Sequence, residues 1–542
     1  MNRIEKAVGI VSGLCGIKRV LYLVAAALVS ALPFMAEKLW ILGWFGLSLL
    51  FVTVFDFKKP LKRVFGSLFF YFFLFYVFSY SWFVSLYPLD FAGLDSLQSV
   101  GVIIVAETLI PLIHTSLMAP CVFLGYLAAT KAQNGFVRAC LVACGYVIGE
   151  FMQSIGPLAF PWSMLFVGQA DRLEILQSAS LLGARFVTFV IVFVNALVAM
   201  SLVKSGQRNR ARIFAVVAAL VFVINFSFGA VRLGFADYEN SRKVSALVLQ
   251  GNIPSSEKWS PDSKPATGKY LDLAQTAHDY CIQNSIGVDI AVLPETAFAS
   301  SVYEGSRAYS TSAEISKMLS CNLFVGGFDN RTDDSFNSVF LFDSDGNMSQ
   351  ETYNKVNLVP FGEFLPYRQL VSALLPMLTE INMLSSDLTA GVANKPLKSQ
   401  CGEAVCLVCF DSIFPENARI QAKNGGDFIV VSTNDSWYKQ SKALYQHAAH
   451  SVMRAIENNL SVVRSANTGI SLVCDPVGRI LSQSRVNETE FIVSQVSIPE
   501  SRTLYTLTGD LVLPFSFVAV FGTLIITFVK KKILPKNRED RR

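Results

Sequence analysis

Three residues, each beside a short apolar run, have side chains that together perform nucleophilic chemistry. Glu295 lies in Leu293-Pro294-Glu295-Thr296. Lys355 sits in Tyr353-Asn354-Lys355-Val356, ahead of Leu358-Val359-Pro360-Phe361-Gly362-Glu363, and Cys409 heads Cys409-Phe410-Asp411. A thiol attacks as its thiolate, so it needs a base for its proton, and the oxyanion it creates needs a counter-charge. A carboxylate supplies the first and an ammonium the second, while the amide N–H after the nucleophile adds another oxyanion donor. Residue types alone are a weak signal, because Glu, Lys and Cys are common. Cys406 is the rival nucleophile, but three residues upstream it projects from the opposite face of a strand, and the Phe-Asp pair follows Cys409.

Other schemes lack their parts. The four histidines, His114, His278, His447 and His450, accompany neither a Gly-x-Ser-x-Gly elbow nor a His-Glu-x-x-His helix, and no glycine-rich phosphate loop is present. His447 and His450 stand three apart on a helical stretch, yet no metal and no cofactor is expected here.

These residues need rigid elements to hold them. Val244 to Leu249, Val288 to Leu293, Cys321 to Val325, Ala404 to Cys409 and Phe428 to Ser432 read as buried strands alternating with helix-like or loop stretches, an α/β rhythm. Tyr445 to Val463, free of Gly and Pro and carrying Gln446, Met453, Arg454, Glu457 and Leu460 at helical spacing, reads as a helix. In open α/β sheets ligands gather beyond the carboxyl ends of strands, where these candidates lie.

The segment of about 241–501 that carries them is flanked by a different kind of chain. With 52% hydrophobic and 16% charged residues in 542, the protein has more apolar surface than a soluble fold buries, and too little charge for a disordered or nucleic-acid-coating chain. Eight apolar runs are long enough to cross a bilayer: Val20 to Ala36, Leu39 to Phe55, Val64 to Tyr87, Leu109 to Ala129, Phe136 to Phe151, Ser178 to Leu202, Ile213 to Val231 and Leu511 to Val529. The first two nearly abut at Glu37-Lys38, so a re-entrant hairpin competes there. The first run is not expected to be a cleaved signal, since further spans follow at once.

Basic residues stay cytoplasmic near short spans. Arg3, Lys6, Lys18 and Arg19, then Lys58 to Arg63, then Lys131, then Lys204 to Arg212 fall on one side, while the alternate connectors are acidic or balanced. The formal +5 is therefore topological information, and seven of the last thirteen residues are basic. This predicts a seven-span membrane domain over 1–235, a soluble domain over 241–501 facing outward, a last span over 511–529 and a cytoplasmic tail over 530–542. Glu107 and Glu150 are read as lying at interfacial ends of spans, His114 as hydrogen-bonded between helices, and Tyr80-Ser81-Trp82 and Phe160-Pro161-Trp162 as aromatic belts beneath the soluble domain.

Order and flanking sequence add what spacing does not. A Glu after Pro, a later Lys, and a Cys followed by an aromatic, an acid and then Pro415-Glu416 resemble the nitrilase superfamily, whose fold is an α-β-β-α sandwich. Leu249 to Pro254 through Trp259, Asn354 to Pro366, Ser432 to Trp437 and Arg464 to Gly469 are similar to the apolipoprotein N-acyltransferase family, along with the spans on both sides.

The resemblance implies Cys409 as nucleophile, Glu295 as general base and Lys355 as charge partner, with Phe410 lending its backbone N–H. It implies Glu363 as a second carboxylate orienting the lysine, and Trp259 as a loop residue near a lipid entrance. Phe410 stands where the family usually has Tyr, and Asp411 where it usually has Glu, which puts a proton-relay role at both positions in doubt. The implied reaction moves an acyl chain from a membrane phospholipid to the α-amine of an S-diacylglyceryl-cysteine lipoprotein, at a bacterial inner membrane with the soluble domain periplasmic. The implied partners are the phospholipid donor, the lipoprotein acceptor and membrane lipid, with no nucleic acid, and the chain is expected to act as a monomer.

The apolar stretch Leu365 to Met383 is expected to form a lid or hydrophobic arm for acyl chains. Cys15, Cys121, Cys140 and Cys144 lie in or beside spans; Cys281, Cys321, Cys401, Cys406, Cys409 and Cys474 lie in the soluble segment, where pairing of Cys401 with Cys406 or another partner stays open. Two rivals also stay open: a membrane-tethered amidase using the same three residues on a small amide, and a non-catalytic scaffold on that fold.

Overall fold

The computed structural model describes residues 11–533 except 12, 56, 58, 90–92, 205–206, 259–265, 331–333, 375–386 and 393–394. The segment from Arg242 to Ile498 is built on two six-stranded sheets. In the first, β1 (Arg242–Gln250), β2 (Ile290–Val292) and β3 (Asn322–Asp329) run parallel, while β4 (Phe336–Phe342) and then β5 (Tyr353–Asn354) continue antiparallel. In the second, β6 (Leu397–Ser399) pairs antiparallel with β7 (Gly402–Val408). From there β7, β8 (Phe428–Thr433) and β9 (Val462–Ala466) are parallel, and β10 (Leu472–Cys474) and β11 (Ile480–Gln483) antiparallel. β12 (Glu490–Ile498) returns to pair with β1. Each sheet thus has the same sequence of pairings around a parallel core, an internal repeat of the fold.

Side chains alternate faces along a strand, so each sheet presents two apolar surfaces. Val244, Ala246 and Val248 of β1 meet Ala404, Cys406, Val408 and Val430 of the other sheet in a core between the sheets. Leu247 and Leu249 face the other way, onto α1 (Ala266–Gln283) and α2 (Arg307–Leu319). On the far side of the second sheet, α3 (Pro415–Lys423) and α4 (Lys442–Asn458) complete an α-β-β-α sandwich. A tight turn cannot join parallel strands, so the chain crosses over through a helix between them, and α1 to α4 are those crossovers.

Helix α4 is where the sandwich meets the membrane helices, and its residues from Gln446 to Asn458 are all buried. Gln446 accepts from Trp162 Nε1 at 2.6 Å and donates to Phe34 O at 2.9 Å, His450 Nε2 lies 3.0 Å from Trp162 O, and Glu457 accepts from Ala184 N at 2.8 Å. The helix begins three residues before Tyr445 and ends at Asn458, short of the expected Val463. Asn459 turns left-handed at φ 54°, which Asn tolerates, and so frees Val462 to start β9.

Among the described residues eight helices are long and apolar enough to cross a membrane, as expected. Their edges differ instructively. The fourth starts at Ser96, well before Leu109, because Asp95 and Gln98 form a capping box and a helix continues past the hydrocarbon. The sixth begins at Ala184 instead of Ser178: Gly183, at φ 85°, separates it from a one-turn helix, Ala179–Leu182. The second opens with a 3-10 stretch, Glu37–Trp44, before Gly46–Val54.

The polar and aromatic groups at the span ends pack more deeply than their position requires. Glu150 lies near a helix end but is buried, accepting from Leu165 N and Thr188 Oγ1. Trp82 and Trp162 are buried too, packed on Tyr438 of the soluble domain at ring-centroid distances of 5.3 and 5.4 Å. They therefore form a joint between domains, because the sandwich covers the faces that would otherwise meet lipid headgroups. His114 accepts or donates to Tyr80 OH at 2.8 Å, between helices as expected. Residues 534–542 of the basic tail lie outside the described residues.

Candidate active site

The sheet topology alone brings the three candidates together. Glu295 lies just past β2, at the carboxyl edge of the parallel strands. β4 runs back and β5 forward again, so Lys355, directly after β5, emerges at that same edge. Cys409 follows β7 in the facing sheet. Gly326 in β3 lets Pro294-Glu295 approach: a Cβ there would stand 2.4 Å from Pro294 O and 2.6 Å from Glu295 Cα.

Lys355 Nζ donates to Glu295 Oε1 at 3.1 Å and to Glu363 Oε1 at 2.8 Å. Glu295 Oε2 accepts from Asn434 N at 2.9 Å, and Glu363 Oε2 from Val359 N at 2.8 Å. Asn337 Nδ2 bridges the same two carboxylates, 2.7 Å from Glu295 Oε1 and 2.9 Å from Glu363 Oε1. All four side chains are wholly or largely buried. Burial works against the Lys355 charge, yet Glu295 and Glu363 outweigh it and hold the ammonium well above the ordinary lysine range.

Cys409 sits at φ 49°, a left-handed conformation that costs a residue with a Cβ free energy and recurs at functional sites. Its carbonyl is secured by Ser412 Oγ at 2.8 Å and His447 Nε2 at 3.1 Å. Burial, reinforced by the Glu295 charge and only partly opposed by Lys355, pushes the Cys409 thiol up. Both effects favour the protonated thiol. Cys406 is sealed in the core between the sheets, and burial pushes its thiol up as well.

Asp411 and Phe410 take structural parts. Asp411 accepts from Tyr353 OH at 2.9 Å, Asn357 N at 2.7 Å, Val356 N and Val408 N at 3.3 Å, and Asn417 Nδ2 at 3.1 Å. It ties the Lys355 loop to the Cys409 turn; burial, opposed by Lys355, pushes its carboxyl up to about 6. The Phe410 ring stacks on Phe160 of the membrane domain at 5.8 Å, an apolar setting that offers a hydroxyl no evident purpose.

Several contributors carry little or no sequence signal. Asn337 sits inside β4 with no motif around it, Lys258 donates to Thr296 Oγ1 at 2.6 Å beside Glu295, and burial lowers that lysine to about 7 against the Glu295 charge. Asp435 and His447 flank Cys409 closely, all three offering ligand atoms within 4.8 Å of one another. Asp435 is already bound by Arg464 at 2.8 Å and by His447 Nδ1 at 2.9 Å, so this is an ion-paired network beside Cys409 with a guanidinium where a cation would compete. His450 turns instead to Trp162 O. All ten cysteines are free, Cys401 and Cys406 included.

A cavity of about 620 Å³ opens over these groups. Glu295, Lys355, Glu363, Cys409 and Asn434 form its polar end; Trp82, Leu109, Ile110, Ile113 and Phe160 of the membrane helices and their outer turns form its apolar wall. Leu388 and Phe361 also line it, and Leu365 is anchored by its N–H to Asp387 at 3.1 Å, but residues 375–383 of the expected arm, like Trp259, lie outside the described residues.

A family model for carbon-nitrogen hydrolases matches residues 246–505, and one for the apolipoprotein N-acyltransferase N-terminal domain matches residues 26–197. An apolipoprotein N-acyltransferase of Bradyrhizobium diazoefficiens is 30% identical over 423 residues, 76% of each chain. The chain belongs to the apolipoprotein N-acyltransferase family. Enzymes of the same name from Gloeobacter violaceus and Thermotoga maritima are 29% identical over 82% of each chain, and 27% identical over 90% of this chain and 89% of that one. A solved carbon-nitrogen hydrolase of Helicobacter pylori, 14% identical and covering 55% of this chain and 99% of its own, superposes with a TM-score of 0.34, too low to add weight.

Proposed function

We propose that this acyltransferase moves a fatty acyl chain from a membrane phospholipid to the N-terminal α-amine of an S-diacylglyceryl-cysteine lipoprotein, through a thioester on Cys409. The observation that carries this reading is the single cavity joining Cys409, Glu295 and Lys355 to apolar walls supplied by the membrane helices. A soluble amide needs no such wall. An acyl chain does, at about 0.8 kcal/mol for each methylene removed from water.

Cys409 Sγ attacks the ester carbonyl while Glu295 takes the thiol proton. Lys355 and the Phe410 N–H face the oxyanion, and the lysophospholipid leaves with the proton from Glu295. The lipoprotein amine then attacks the thioester in the same way. Glu363 holds Lys355 in place. The soluble domain over 241–501 faces the periplasm between the seven-span domain, 1–235, and the last span, 511–529. The alternating basic connectors support that orientation, with residues 530–542 cytoplasmic. The chain works as a monomer in the bacterial inner membrane, without nucleic acid.

Incubating the purified protein with bacterial phospholipid, then with a diacylglyceryl-Cys lipopeptide, tests this by mass spectrometry. An acyl mass on Cys409 that passes to the peptide amine is expected, lost in Cys409→Ala and kept in Cys406→Ala. A folded protein that gains no acyl mass would refute it in favour of amide hydrolysis.

A further inference from the structure

We propose that Lys439 is a positioning residue that fixes two sides of the cavity wall against each other and so sets which acyl chain of the donor the enzyme accepts. The inference deepens the acyl-transfer reading above and rests on it. Lys439 Nζ donates to three successive main-chain carbonyls of the membrane domain, Leu86 O at 3.1 Å, Tyr87 O at 2.6 Å and Pro88 O at 3.1 Å. Those oxygens lie at the end of the 3-10 turn Ser81–Leu86, which carries Trp82, Phe83 and Leu86 of the cavity wall. An ammonium suits the carbonyl end of a helix, where oxygens without intrahelical partners carry partial negative charge.

The backbone at Lys439 points the same way. It sits at φ 47°, ψ −136°, the first central position of a tight turn closed by Ser441 N on Tyr438 O at 3.1 Å. Glycine takes that conformation freely and a residue with a Cβ does not, so a lysine persists there only where its surroundings hold it. The three carbonyls supply that hold. Just before Lys439 in the chain, Asn434, Trp437 and Tyr438 line the same cavity, and Asn434 N donates to Glu295 Oε2 at 2.9 Å. Tyr438 meets Trp82 edge-on at 5.3 Å. The ammonium therefore ties the loop that anchors Glu295 to the turn that carries the outer wall. Lys439 acts through these neighbours and moves no proton. Without its charge the turn and the loop can part, and a slack apolar wall discriminates less between chains of different length.

The full chain in mixed micelles is given long-chain or short-chain phospholipid donors with a diacylglyceryl-Cys lipopeptide, and kcat and KM for each donor are followed by mass spectrometry. Lys439→Met keeps most of the stem and loses the charge, whereas Lys439→Gly loses the charge but relaxes the turn. Both are expected to raise KM for the preferred donor about tenfold, with kcat changed less than about threefold, and to shrink the discrimination between donors. Lys439→Gly should nonetheless melt above Lys439→Met, and Lys439→Arg, which still donates to carbonyls, should recover part of the discrimination. Unchanged discrimination in both charge-free variants, or none in the wild type, overturns the proposal. So does a loss confined to Lys439→Met, which would assign the effect to the turn and not to the ammonium. Lys439→Ala serves the same comparison if the methionine variant is not recovered folded. A wild-type protein that never acquires the acyl group refutes the acyl-transfer reading instead.

Discussion

Lys355 Nζ and Asn337 Nδ2 donate to the same two atoms, Oε1 of Glu295 and Oε1 of Glu363, at 2.7 to 3.1 Å. Two carboxylates converge in a buried pocket only because one ammonium and one amide stand between them. The charge and the shape of the candidate site therefore depend on each other.

Removing the ammonium leaves those carboxylates facing one another out of water. Lys355→Met is expected to lose about 3–5 kcal/mol of stability as well as all thioester formation. Because the folded pKa of Lys355 lies above its unfolded value, its contribution is fully present below about pH 10.4 and fades only at higher pH. Thermal unfolding in detergent at neutral pH, beside acyl-enzyme mass, checks both effects.

The Cys409 thiol is raised by its burial and by Glu295, so the resting enzyme holds little thiolate at pH 7. Iodoacetamide should label Cys409 no faster than an ordinary free thiol there, with the rate climbing as pH rises. Fast labelling with a plateau below pH 8 would show a preformed thiolate and remove the need for Glu295 as base.

Asp411 satisfies three backbone N–H groups, a tyrosine hydroxyl and an asparagine amide. Asp411→Ala strands most of them, and a loss of about 3 kcal/mol or more is expected, with Lys355 displaced. Phospholipid acylation should fall further than folded protein does, measured per molecule that survives a thermal challenge. Activity retained at wild-type level would show that the loop is held by other means.

Burial alone would raise Asp435, but Arg464 and His447 more than offset it and keep the carboxyl below the usual range. The folded group thus binds its proton less readily than the unfolded one. Its stabilising effect is present above about pH 4 and is lost as pH falls. Melting curves from pH 7 to pH 3 should show the wild type losing stability with acid, and Asp435→Asn starting lower with a shallower slope.

Much of this was legible in the chain. Eight apolar runs of membrane length, strands of buried residues at β1, β2, β3, β7 and β8, and the residues Glu295, Lys355, Glu363 and Cys409 were readable because period, run length and flanking motif are local properties. Helix α4 was readable as a helix but not at its end, since Asn459 stops it by a backbone turn that hydrophobic pattern does not register. The burial of Trp82 and Trp162 against Tyr438 was not legible for a related reason: an aromatic at the end of a span looks the same whether lipid headgroups or another domain lie beyond it.

The sequence by itself determined a chain that must lie in a membrane, where its α/β segment falls, and which nucleophile, acid and base types are available. Only the tertiary structure decided that Asn337 links two carboxylates, that Asp411 clasps the lysine loop, and that one cavity spans sandwich and membrane helices. Those relationships join residues far apart in the chain, 26 positions for Asn337 and Glu363 and 54 for Asn357 and Asp411, through side chains whose partners are set by how two sheets and a layer of helices pack, and no local pattern encodes which atoms packing will bring within hydrogen-bond reach.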